Sequence, residues 1–80
     1  MEKDILKQTI EKIQYNGSIY KNVTYYLKEN GGKYSIKLHL NNAGIISSST
    51  TTVLAENIEN PRQARELFDD FMYLHHLKED

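Results

Sequence analysis

Three histidines, a file of helical carboxylates and six tyrosines are the side chains here with most to offer chemically. His75 and His76 are adjacent, so on a helix they diverge by about 100° and cannot converge on one metal as an i,i+4 pair would. His75 falls near the middle of an apolar helical face. It would serve as a general base in a pocket beneath a sheet, or as a core or rim histidine held by one hydrogen bond near a helix end. The residue types around it favour the structural role. His76 falls near Asp69 and Tyr73 on the polar side, as a solvated helix end does, and His39 lies on the exposed side of a strand. Glu66, Asp69 and Asp70 put three carboxylates along one helix flank, but no glycine-bearing loop supplies the further oxygens a divalent cation requires. No phosphate-binding glycine loop or nucleophile elbow is present. The reading is therefore non-enzymatic, with no catalytic, metal or cofactor site.

Tyrosines are the better lead. Tyr20, Thr24 and Tyr26 alternate along one side of a strand, and Lys37 and His39 fall on the same side of the next. Together these five residues form a candidate contact surface, aromatic with cations at its margin. Tyrosine is enriched at protein interfaces because it couples a large contact area to a polar tip, and bases stack on such platforms too. The plain alternative is a set of cross-strand pairs that stabilise a half-exposed sheet. Tyr73, outward on the helix, is a further contact candidate.

The elements that must position these groups are legible from periodicity. Ile19 to Leu40 reads as a β-hairpin: Ile19, Val23, Tyr25 and Leu27 alternate on the first arm, Tyr34, Ile36, Leu38 and Leu40 on the second. Asn30-Gly31-Gly32 supplies the positive-φ positions of a tight turn. Turns about Asn30-Gly31 and about Gly31-Gly32 give the same faces with different partners.

Before it, Asn16-Gly17 predicts another hairpin turn, preceded by a strand from about Lys7, with a short helical start over residues 3 to 8 as the alternative. A three-residue loop there would turn Ile13 and Tyr15 to the core. A two-residue turn would send them to the other face, beside Tyr20, Thr24 and Tyr26. After the hairpin, Asn41-Asn42-Ala43-Gly44 reads as a turn. The hydroxyl run Ser47 to Thr52, anchored by Ile45, Ile46, Val53 and Leu54, reads as a polar edge strand or a loop interrupting one.

Asn60-Pro61-Arg62-Gln63 carries an N-cap and a proline at the first helical position. From Pro61, steps of about 100° gather Ala64, Leu67, Phe68, Phe71, Met72 and Leu74 on one face. Burial of large apolar side chains, about 1.5–3 kcal/mol each when enclosed, outweighs i,i+4 ion pairs worth a few tenths. That face needs a cover, and the inner hairpin face is the apolar surface of matching size. The fold expected is α+β: an antiparallel meander of three or four strands with one C-terminal helix across one face, in a single domain over residues 1–80.

Bulk composition narrows the class. Eighty residues, 39% of them hydrophobic and 26% charged, fit a small globular domain whose apolar runs are too short to span a bilayer. The N-terminal stretch has no apolar signal-peptide core and there is no cysteine, so the location expected is cytoplasmic. Net charge is −1 but uneven: residues 1 to 40 hold seven Lys and four acids, residues 41 to 80 three basic residues and seven acids. Three charges of excess fall short of the basic stripe of a dedicated nucleic-acid binder.

Ala55-Glu56-Asn57-Ile58, with Arg65, Leu67, Phe68 and His76-Leu77, resembles the strand-to-helix passage of a family of short uncharacterised proteins of low-GC Gram-positive bacteria and their mobile elements. Ile13 to Tyr20 resembles its opening hairpin. The chain lacks the Thr-Pro pair expected before the closing His-Leu. The resemblance implies no activity or site. The expectation is a small interaction or regulatory module that binds a protein partner or itself through the outer sheet face, without membrane involvement. The alternative is a single-stranded nucleic-acid-binding module using the same face with Lys21, Lys33 and Lys37.

Overall fold

Four strands and one helix follow in chain order: β1 Lys3–Tyr15, β2 Ser18–Asn30, β3 Lys33–Asn42, β4 Ser48–Ile58 and α1 Pro61–His75. The computed structural model describes residues 2–42 and 48–76. The strands form one antiparallel sheet in the order β1-β2-β3-β4, and α1 contacts all four. This is the α+β meander expected, with four strands. β1 starts at Lys3, so the helical alternative for residues 3 to 8 is wrong: cross-strand pairing such as Lys3 with Glu29 and Leu6 with Leu27 outweighs a weak helical stripe.

Both hairpins use two-residue turns. Tyr15 faces Ser18 across Asn16-Gly17, with φ of 54° and 81°, and Asn30 faces Lys33 across Gly31-Gly32, with φ of 62° and 85°. Positive φ at both central positions matches the right-handed strand twist, which is why Asn and Gly occupy them. Asn41 and Asn42, read above as a turn, instead continue β3 and pair with Ser49 and Ser48. Ala43, Gly44, Ile45, Ile46 and Ser47 lie outside the described residues. The hydroxyl run from Ser48 to Thr52 is an edge strand.

The core lies between sheet and helix: Ile13, Val23, Tyr25, Leu27, Ile36, Leu38, Leu40, Ile58, Ala64 and Phe68 are buried. Asn60 starts the helix by accepting the N–H groups of Arg62 and Gln63 at 2.9 and 3.2 Å. Two irregularities in the β3–β4 ladder, together with Asn57 at φ 59°, bend the end of β4 so that Ile58 enters the core just before the helix.

Two expectations about the core are corrected. Leu74 is 73% exposed. Ala64, Phe68, Phe71 and His75 define the contact line of the helix, from which Leu74 is displaced by most of a quarter turn, and His75 fills the last position instead. Ile19 is 56% exposed, whereas Tyr20 packs against the core. The cause is Asn22, at φ 54°. Register is kept across it, with Ile10 opposite Val23 and Lys12 opposite Lys21, but strand alternation is not. Val23 and Tyr20 face inward on either side of it, three residues apart, and so do Ile10 and Ile13. Thus a two-residue turn coexists with an inward Ile13 and a half-buried Tyr15, a combination strict alternation excludes.

Candidate functional site: the outer sheet face

With α1 on one face of the sheet, the opposite face carries the side chains that alternate with the core. Two cross-strand rows dominate it. Lys7, Tyr26, Lys37 and Val53 stand side by side from β1 to β4, and Thr9, Thr24, His39 and Thr51 form the next row. Of the five residues expected to share this face, the structure brings together Thr24, Tyr26, Lys37 and His39. Tyr20 is separated from them: the Asn22 break turns it inward. Ile13 and Tyr15 also face the core, so the surface holds one aromatic ring from the expected set rather than an aromatic platform.

The rows are internally bonded. Thr9 Oγ1 lies 3.4 Å from Thr24 Oγ1, and His39 Nδ1 lies 3.0 Å from Thr51 Oγ1. The ammonium groups of Lys28 and Lys7 lie 5.0 and 5.8 Å from the Tyr26 ring centroid, a favourable arrangement of cation and π-quadrupole. Lys28 also donates to Asp4 at 2.6 Å, and Glu2 accepts from Lys37 at 3.1 Å while standing 3.4 Å from Lys28. The hydrogen bond from Lys37, followed by Coulombic attraction, holds the Glu2 carboxyl below its usual range. The hydrogen bond with Asp4 raises the Lys28 ammonium. Sequence reasoning missed Glu2 and Asp4: nothing local indicates that an N-terminal acid will reach β3. At the β3–β4 end of this face a concavity of about 330 Å³ is lined by Lys33, Ser35, Lys37, Val53, Glu56 and Glu2, beside the irregularities of the β3–β4 ladder.

On the inner side, His75 sits at the rim of the core. Its Nδ1 lies 2.8 Å from the Tyr25 hydroxyl, Tyr15 meets its ring edge-on at 5.0 Å, and Phe71 stacks at 6.1 Å. Burial pushes the imidazole below its usual pKa. Burial first, and the Tyr15 phenol second, push the Tyr25 hydroxyl up. His75 and Tyr25 thus form a hydrogen-bonded pair packed among the rings of Tyr15, Phe68 and Phe71. His76 is exposed, and its backbone bridges to Ile13 on β1. Glu66, Asp69 and Asp70 are exposed on the helix, with Arg65 standing 3.4 Å from Asp69. Among the described residues, no three His, Asp or Glu side chains assemble where they could hold a metal ion, and no helix is long and apolar enough to cross a membrane.

Comparison of the chain with models of known families, with curated proteins and with solved structures finds no match.

Proposed function

We propose that this chain is a non-enzymatic cytoplasmic interaction module whose outer sheet face, centred on Tyr26 and the neighbouring Thr24, Lys37 and His39, binds a protein partner. One observation carries the reading. The helix covers only one face of a four-stranded sheet, and the opposite face aligns a tyrosine, two lysines and a valine in one row beside a concavity of mixed charge. Interfaces of this kind take their energy from a few aromatic and long side chains within a polar surround, and a rigid sheet presents them at little entropic cost.

Charge favours a protein over nucleic acid. Lys28 and Lys37 are engaged by Asp4 and Glu2, and two ammonium groups already stand near the Tyr26 ring. A base would have to displace them to stack, and a phosphate would compete with carboxylates already in place.

Affinity capture from the source cell with wild type and Tyr26→Ser tests the proposal. A protein retained by wild type and reduced roughly tenfold or more by Tyr26→Ser is the expected result, the loss for an aromatic hot spot of about 1.4 kcal/mol or more. The same proteins retained by both chains, or nucleic acid retained instead and released by added salt, would overturn it.

A further inference from the structure

We propose that the free edge of β1 pairs with β1 of a second copy, about a two-fold axis at Gln8, to make a continuous eight-stranded sheet.

β1 is an edge strand, and its outward backbone groups are available over most of its length. At one end the edge is taken: the extended residue after α1, His76, bridges to Ile13. The stretch left open runs from Lys3 to Lys12. Beside it, between β1 and the helix, lies an open groove of about 300 Å³ lined by Gln8, Ile10, Met72, Tyr73 and His76. An edge with an apolar groove at its side is a surface that a further strand extends.

The pattern along β1 selects a second copy as that strand. Leu6, Gln8 and Ile10 lie opposite Leu27, Tyr25 and Val23 and so face inward. Asp4, Lys7, Thr9 and Lys12 face outward. Alternation is interrupted twice, by the register shift between Asp4 and Leu6 and by the break at Glu11 opposite Asn22. These interruptions are symmetric about Gln8. Antiparallel pairing centred there sets Leu6 against Ile10, Lys7 against Thr9 and Asp4 against Lys12, inner with inner and outer with outer, and sets the two interruptions at Ile5 and Glu11 against each other. The pairing of Asp4 with Lys12 sets opposite charges side by side twice, with Asp4 already held by Lys28 in its own sheet. Centring on Lys7 would oppose two lysines and set Asp4 against the inward Ile10. Centring on Thr9 would set Leu6 against Lys12. Two-fold pairing consumes the β1 edge of both copies and leaves the sheet bounded at each end by the polar, hydroxyl-rich β4.

The inference does not rest on the outer-face reading, since it uses the edge of the sheet rather than its face.

Gln8 is exposed and faces itself across the axis, which gives the test. Gln8→Glu and Gln8→Lys each put like charges in contact there. Light scattering from micromolar to millimolar concentration should give wild type a mass approaching twice the 9.3 kDa of one chain. Each variant, with unchanged circular dichroism, should give half the wild-type value, and an equimolar mixture of the two should return to the dimer mass. In wild type, amide protection from Leu6 to Ile10 should rise with concentration. A wild type that stays at single-chain mass, a dimer that survives both substitutions, or a mixture that stays monomeric would overturn the proposal.

Discussion

The hydroxyl of Tyr25 in β2 stands 2.8 Å from Nδ1 of His75 at the end of α1, fifty residues away. The pair fastens the C-terminal end of the helix to the middle of the sheet. Tyr25 is fully enclosed, and with its proton retained by burial it has an acceptor in the unprotonated Nδ1, so we assign the phenol as donor and Nε2 as the nitrogen carrying hydrogen. Tyr25→Phe keeps the ring and removes the bond. Urea denaturation should register a loss of about 1 kcal/mol, the net value of one such bond, with the fold retained.

The same pair makes stability sensitive to acid. Burial lowers the folded-state pKa of His75 from its ordinary 6.5. Between the two values the unfolded chain binds the extra proton, so stability falls as pH falls. The contribution of His75 is complete above pH 6.5 and is lost as pH drops through the lowered folded value. His75→Gln retains an acceptor for Tyr25 but does not titrate. Melting temperatures measured across this range should fall less steeply with acid in the variant than in wild type.

Asn22 is the hinge that decides which tyrosine reaches which face. At φ 54° it occupies a backbone region that β-branched side chains resist. Asn22→Val should cost about 1–2 kcal/mol in equilibrium unfolding, even though valine is the better strand former elsewhere in β2. A neutral or stabilising result would mean that the break in alternation does not depend on this residue.

That hinge also marks how far the sequence could be read. The central hairpin was legible because Val23, Tyr25 and Leu27 alternate without interruption against Tyr34, Ile36, Leu38 and Leu40. The helix start was legible because Asn60-Pro61 is a local signal whose chemistry is complete within four residues. Tyr20 was misplaced because period-two counting assumes unbroken alternation, and a lone Asn within a strand resembles any other polar residue. The one local hint was Asn22 itself, a residue tolerated at positive φ, inside an otherwise β-branched and aromatic run. Asn41 and Asn42 misled for the converse reason: turn-forming residues were carried into a strand by pairing with Ser48 and Ser49, which no local pattern reveals. Likewise, the pairing of Lys28 and Lys37 with Glu2 and Asp4 depends on strand order and on the twist of a finished sheet.

The proposal that the inner face holds the fold while the outer face meets a partner is tested most directly by crosslinking in the source cell. A photoreactive phenylalanine analogue would replace Tyr26 in one chain and Tyr73, exposed on the helix, in another. A covalent adduct to a foreign protein formed from position 26 and not from position 73 is the result predicted. No protein adduct from position 26, or foreign-protein adducts from position 73 alone, would contradict the assignment of the outer face as the contact surface.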